Sequence, residues 1–213
     1  MTTQKVGAIF LDRDGVINEN RADHVKSWDE FEFIPGALDS IRRLTETGLP
    51  IFVVTNQAAV NRGLMSLDTL NDIHNRMKET IAQAGGLVTR VYYCPHDNHE
   101  DCDCRKPLPG MLQQAAKDFP IDLSKSFLVG DAWTDVAAGV AVGARSILLM
   151  TGRGRWNFVA SWNRFGLNFS AACDVADATW MIKESLRGNS MVTTARLRSA
   201  FHMALRPEEQ LVT

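Results

Sequence analysis

The chain has 213 residues, 45% of them hydrophobic and 23% charged, with a formal net charge of -2. That length fits one domain, or one plus a small appendage, and the composition suits a packed core rather than a disordered chain. The charge balance argues against a nucleic-acid or anionic-membrane partner, and no apolar run approaches the ~20 residues of a transmembrane helix.

The residues before Asp12 lack the long apolar core and cleavage site of a secretory signal, so a cytoplasmic protein is expected. Val6–Leu11 (VGAIFL) is a short β-rich run of the kind buried on both faces of a parallel sheet. The runs Ile51–Val54, Val88–Tyr93, Ser126–Val129 and Arg145–Met150 repeat that type. Helical periodicity lies between them. Ala37–Thr47 places Leu38, Ile41 and Leu44 on one face, and Leu67–Ala84 does the same with Leu67, Leu70, Ile73, Met77 and Ile81 behind an N-cap at Ser66. Gly110–Phe119 and Asp135–Val142 are shorter helices, and Asp174–Leu186 is a last one. Alternating strands and helices predict an α/β fold with a doubly wound parallel sheet, whose ligands sit at the carboxyl ends of the strands.

After Met150 the pattern degrades. Thr151–Ser170 holds three arginines, two tryptophans and no acid, and reads as peripheral packing or as a subunit contact. Residues 1–187 are taken as the main domain and 188–213 as a tail with a weakly amphipathic helix at Thr194–Leu205.

The strand ends carry the chemistry. The first is followed by Asp12-Arg13-Asp14-Gly15. In a continuing strand the two carboxylates would share a side, a costly crowding that a hard cation such as Mg²⁺ relieves. Asp-Gly is equally a common turn. The second strand ends in Thr55-Asn56-Gln57, donors for phosphate oxygens. The third leads into Cys94-Pro95-His96 and Cys102-Asp103-Cys104, the ligand set of a closed structural Zn²⁺ site, with His99 competing against His96. Cys173 stands alone and reads as an inert buried residue. Arg105-Lys106 abut the zinc loop and offer two cations for a phosphate or carboxylate pair. The fourth strand ends in Gly130-Asp131 with Asp135 one helical turn on. A nucleophile, an acid, metal ligands and a charge clamp make the set that phosphoryl transfer to a carboxylate requires.

The four motifs Asp12-x-Asp14-Gly15, Thr55-Asn56, Lys106 and Gly130-Asp131-x-x-x-Asp135 resemble, in order and spacing, those of the haloacid dehalogenase superfamily of phosphatases, over roughly residues 6 to 150. The zinc loop running into Cys104-Arg105-Lys106-Pro107 resembles the heptose bisphosphate and histidinol-phosphate phosphatases within it. Phe31–Gly36, Thr55–Gln57 with Arg62-Gly63, and Tyr92–His96 look more like the heptose enzymes; the five residues between His96 and Cys102 resemble the loop length of the histidinol-phosphate enzymes. Ala132 departs from the Lys that the heptose enzymes often carry there.

The resemblance implies a role for each position. Asp12 would be the nucleophile and Asp14 the acid and base. Mg²⁺ would be held by the Asp12 carboxylate, the Asp14 backbone carbonyl and Asp131. Thr55 and Lys106 would bind the transferring phosphoryl group, and Arg105, Asn56 and Gln57 the substrate. Asp135 would orient Lys106 or a metal water. The alternatives are a histidinol-phosphate or other small sugar-phosphate phosphatase, and a non-catalytic zinc-stabilised binder of phosphorylated ligands. Asp14 and Thr55 are 41 positions apart, too few for an inserted cap domain of ~60 residues. The implied partner is a small phosphorylated metabolite, with the chain a monomer or weak homo-oligomer.

Overall fold

The computed structural model describes residues 5–189. Six parallel strands form one sheet: β1 (Ile9–Leu11), β2 (Ile51–Asn56), β3 (Arg90–Cys94), β4 (Phe127–Gly130), β5 (Arg145–Leu149) and β6 (Phe169–Ala172), in the order β3-β2-β1-β4-β5-β6. The helices are α1 (Ala37–Thr45), α2 (Leu67–Gln83), α3 (Gly110–Asp118), α4 (Trp133–Ala141), α5 (Gly154–Phe165) and α6 (Val175–Leu186). The doubly wound α/β expectation holds.

Strand alternation builds both layers. Ile9, Leu11, Ile51, Val53, Phe127 and Val129 face one side and pack with the apolar stripes of α1, α2 and α6. Phe10, Phe52, Val54 and Leu128 face the other side and meet Met111, Leu112 and Ala115 of α3. A strand buried on both faces needs apolar residues at every position, which is why these runs are continuous rather than alternating. Phe10 stacks on Phe52 with ring centroids 5.4 Å apart, joining β1 to β2 on that face.

The patternless segment after Met150 supplies core. α5 turns Phe158 inward, fully buried, against Phe169 of β6 and Trp162. Spacing 158, 162 and 165 is helical, but intervening Arg and Asn and the exposed Trp156 dilute it. β6 is four residues of small or aromatic side chain (FSAA), too short to announce itself. Arg164 lies over the Trp133 ring at 4.7 Å, fastening α5 to the start of α4. Cys173, expected to be buried, is exposed at the end of β6, where its backbone N–H donates to Asp177. α4 begins at Trp133, two residues before the expected start, because Asp135 caps the Ala132 N–H at 3.0 Å. The tail helix expected at Thr194–Leu205 lies outside the described residues.

The strand order reverses between β1 and β4, on either side of which the chain runs outward to opposite edges. Ligands of open α/β sheets bind in the crevice at such a reversal, beyond the carboxyl ends. Asp12 and Asp131 follow β1 and β4 directly, and so flank that crevice.

Candidate active site

Lys106 is the centre of the arrangement. Its side chain is 2% exposed, and its ammonium lies 3.0 Å from Asp12 Oδ1 and 2.5 Å from Asp135 Oδ1. It also donates to the Val54 carbonyl oxygen at 2.8 Å. The Asn56 side chain fixes the backbone behind it: its Nδ2 donates to the Lys106 carbonyl and its Oδ1 accepts from the Lys106 N–H, both at 3.0 Å. Burial works against the Lys106 charge, but Asp12 and Asp135 outweigh it and hold its pKa above the ordinary lysine value.

One ammonium faces three buried carboxylates. Asp12, Asp131 and Asp135 place an oxygen each within 4.8 Å of one another. Burial pushes Asp12 up to about 6, Lys106 opposes, and the Asp135 and Asp14 charges add to the rise. Burial likewise raises Asp131, helped by the Asp12 charge. A cluster whose members resist ionisation together is short of positive charge.

Asp131 shows where that charge belongs. Its Oδ2 accepts from Asn20 Nδ2 at 3.0 Å and from the Arg153 N–H at 2.8 Å, while its buried Oδ1 has no donor among the described residues. A buried carboxylate oxygen left bare costs about 1–3 kcal/mol or more unless a cation meets it. The space around this carboxylate is kept by glycine. A Cβ on Gly15, which holds φ +83, would come within 2.1 Å of Asp131 Oδ2, and one on Gly152 within 2.5 Å. An all-oxygen donor set with one bare oxygen fits Mg²⁺.

Asp14 does not join this cluster. Its carboxylate turns to Arg13 Nη2, at 2.9 and 3.0 Å from its two oxygens, and also accepts from Asn18 (2.9 Å) and Gln57 (2.8 Å). Strand β1 ends at Leu11, so the side-by-side pairing expected of a continuing strand does not form. Burial would raise the Asp14 pKa, but the Arg13 charge and these bonds hold it below the usual carboxylate range. Arg13 is itself fully buried, and its Nη1 lies 3.3 Å from His74 Nε2 on α2.

Thr55 is buried, and its Oγ1 accepts from Gln57 Nε2 at 2.8 Å. Asn56 and Gln57, expected to touch substrate, bond within the protein to Lys106 and to Asp14 with Thr55, and Asn56 also lines the open cavity. Arg105 has no carboxylate among its hydrogen-bond partners: Nε donates to Asn98 Oδ1 at 2.9 Å and Nη1 to the His96 carbonyl at 3.1 Å. It lines an open cavity of about 1150 Å³ with Arg21, Arg62, Lys106 and Arg153.

The thiol cluster is formed as expected, with His96 rather than His99. Cys94 Sγ lies 3.8 Å from Cys102 Sγ and 3.5 Å from His96 Nδ1, and His96 Nδ1 lies 3.3 Å from Cys104 Sγ. Zn–S bonds of 2.3 Å in a tetrahedron separate two sulfurs by about 3.8 Å, so the donors already stand at Zn²⁺ spacing. The cysteines are free. Burial, with Cys104 beside it, pushes the Cys94 thiol up, a cost that a bound cation reverses.

Sequence reasoning missed Arg13, Asn18, His74, Asn20 and Arg153. Arg13 and Asn18 flank the first motif and were within its reach. Asn20 and Arg153 meet Asp131 only through the fold, from 111 and 22 positions away.

A family model described as "HAD-hyrolase-like" matches residues 103–164. A D-glycero-beta-D-manno-heptose-1,7-bisphosphate 7-phosphatase of Pseudomonas putida is 43% identical over 146 residues, covering 68% of this chain and 83% of that protein. The enzyme of the same name from Bordetella bronchiseptica is 43% identical over 147 residues, covering 69% and 82%. Among solved structures, the B. bronchiseptica D,D-heptose 1,7-bisphosphate phosphatase, complexed with magnesium and phosphate, superposes with a TM-score of 0.79 at 36% identity, covering 84% of this chain and 99% of that one. The Burkholderia thailandensis enzyme gives 0.62 at 31% identity, covering 82% and 96%.

Proposed function

The chain belongs to the D-glycero-beta-D-manno-heptose-1,7-bisphosphate 7-phosphatase family of HAD-like hydrolases, and on that premise we propose that it removes the 7-phosphate of that sugar bisphosphate in a Mg²⁺-dependent reaction. The observation that carries this reading is the buried Asp12–Lys106–Asp135 chain beside the bare oxygen of Asp131, set in the crevice where the strand order reverses.

Asp12 attacks phosphorus in line as its bond to the sugar oxygen breaks, leaving an aspartyl-phosphate. Lys106 and Thr55 take the phosphoryl oxygens. Lys106 stays charged in doing so because Asp135 remains its partner. Asp14 gives a proton to the departing sugar oxygen and then takes one from the water that cleaves the acyl phosphate. The free enzyme holds Asp14 in the proton-accepting form. Arrival of an anionic phosphate favours its protonated form and readies it as the acid.

Asn56 and Gln57 act as supports, the first holding Lys106 and the second bridging Thr55 and Asp14. Arg105, whose hydrogen bonds go to Asn98 and the His96 carbonyl and which lines the open cavity, receives the second phosphate. The carboxylates of Asp12 and Asp131 and the carbonyl oxygen of Asp14 would hold Mg²⁺, which would supply charge neutralisation at the transferring group. Zn²⁺ on Cys94, His96, Cys102 and Cys104 is structural, since four protein ligands leave no open position. Residues 1–187 form the phosphatase unit, working in a reducing cytoplasm as a monomer or weak homo-oligomer. No helix among the described residues is long and apolar enough to cross a membrane.

A substrate panel tests the assignment. Phosphate release from heptose 1,7-bisphosphate is expected to exceed that from L-histidinol phosphate by tenfold or more in kcat/KM, with Asp12→Asn as the blank. The five-residue zinc-loop interval favours histidinol phosphate as the second reading; a tenfold preference for it, about 1.4 kcal/mol in transition-state binding, would reverse the order.

A further inference from the structure

We infer that Asn20 is a positioning residue for the Mg²⁺ site: its amide holds Asp131 so that Oδ1 faces the cation, and so couples the pocket loop Glu19–Val25 to the metal. The inference rests on the proposed assignment of Asp131 as a Mg²⁺ ligand.

The two oxygens of Asp131 have unequal surroundings. Oδ2 takes two donors, Asn20 Nδ2 at 3.0 Å and the Arg153 N–H at 2.8 Å, with Arg153 Nε a further 3.7 Å away. Oδ1 is buried and takes none. A carboxylate turns about its Cβ–Cγ bond at little cost, so what fixes which oxygen points at the cluster is the pair of donors on the other. One of those donors belongs to the β5–α5 backbone and is present whatever the side chain. The Asn20 amide is the only other short donor to that oxygen among the described residues, and it alone can be removed by substitution without touching the backbone.

Asn20 also stands on different ground from its target. It lies in the segment after β1 whose residues Glu19, Asn20, Arg21, Ala22, His24 and Val25 line the open cavity. Asp131 ends β4. The Asn20–Asp131 bond therefore joins a pocket wall to a rigid strand end across 111 positions of sequence. An amide suits this task where a carboxylate does not, because it donates and adds no charge to a cluster that already holds three acids. Outer partners of metal ligands commonly change metal affinity 10- to 100-fold when removed. Coupling is reciprocal: a cation that fixes Asp131 steadies the loop, and a loop that holds Asn20 in place favours the cation.

The test uses the full chain, zinc-loaded, with Mg²⁺ alone as the probe. Isothermal titration calorimetry reads Mg²⁺ affinity, and amide hydrogen exchange reads residues 19–25 with and without Mg²⁺. Asn20→Leu removes the donor while keeping the branched shape, and Asn20→Ala guards against a misfit of the bulkier leucine. Both variants are expected to bind Mg²⁺ at least tenfold more weakly than the parent. Mg²⁺ is expected to slow exchange in 19–25 of the parent and not of the variants. Unchanged Mg²⁺ affinity in both variants overturns the inference, as does Mg²⁺-dependent loop protection that is missing from the parent or survives in the variants. Asp131→Asn separates the two levels. If that variant binds Mg²⁺ as the parent does, the metal-ligand assignment itself fails. If it loses Mg²⁺ while the Asn20 variants keep it, only the role of Asn20 falls.

Discussion

Lys106 reaches Asp12 and Asp135 at once, 3.0 Å from the first and 2.5 Å from the second, with its ammonium shut away from solvent. A buried ion pair adds little stability as such, but removing one member leaves the others uncompensated. Here removal would leave two buried acids beside each other and beside Asp131.

Lys106→Met therefore carries two costs. The transferring phosphoryl group loses its charged donor, which by comparison with oxyanion donors lowers kcat by roughly 10²–10³-fold. Asp12 loses the one cation that opposes its burial, so its proton affinity rises further. Steady-state phosphate release across pH reads both effects: the rate falls and the acid limb moves to higher pH. A variant with parental kcat would remove Lys106 from the site chemistry.

As the proposed nucleophile Asp12 must be ionised to attack, and with Lys106 beside it but no metal ion, burial pushes its pKa up to about 6. Activity at limiting Mg²⁺ is expected to fall as pH drops through that value. A nearby cation favours the carboxylate, so raising Mg²⁺ should move the acid limb of kcat/KM to lower pH. Profiles at limiting and saturating Mg²⁺ that superimpose would place the controlling ionisation elsewhere.

His74 makes the same kind of statement about stability. Burial first, and then the Arg13 charge, lower its pKa from 6.5 to about 3. Between those values the unfolded chain binds a proton that the folded one refuses. The contribution is intact above pH 6.5 and is lost as pH falls toward 3, reaching about 2 kcal/mol by pH 5. Urea midpoints of the parent should fall over that window more steeply than those of His74→Gln. Equal slopes would show that His74 is protonated in the native protein.

Zinc removal tests the loop. Cys104, one of the four proposed zinc ligands, lies one residue before Arg105 and two before Lys106, so a loosened loop would misplace both cations. Chelation that strips zinc, followed by Mg²⁺ at saturation, is expected to lower kcat/KM by tenfold or more. Full turnover by the zinc-free protein would make the thiol cluster irrelevant to catalysis.

Much of the site was legible because the sheet is buried on both faces. Runs such as Ile51–Val54 have one reading, and a parallel sheet sends whatever follows them to one edge. The thiol cluster was legible because its donors are close in sequence and of one chemical kind. The remainder depended on contacts that spacing does not encode. Asn20 meets Asp131 across the crevice, and His74 meets Arg13 from within an otherwise apolar helix stripe, where a histidine looks like core. Asp14 was placed beside Asp12 by assuming that the strand continued; the turn at Gly15 sends it to Arg13 instead. α5 and β6 were obscured by surface residues interleaved with a narrow buried face, and Phe158 reveals its place only against Phe169.

The zinc loop divides the chain's freedom unequally. Cys102 and Cys104 stand within the thiol cluster, and Lys106 is tied to Asn56 and to Asp12. Between His96 and Cys102 the chain runs through more exposed ground, bound at its surface by Arg62 to Asp97, by Asn61 to Glu100 and by Arg105 to Asn98. Residues can be gained or lost in that outer arc while Cys104 stays anchored and Lys106 keeps its station. The outer arc can therefore move or change length with little disturbance to the groups that surround Asp12.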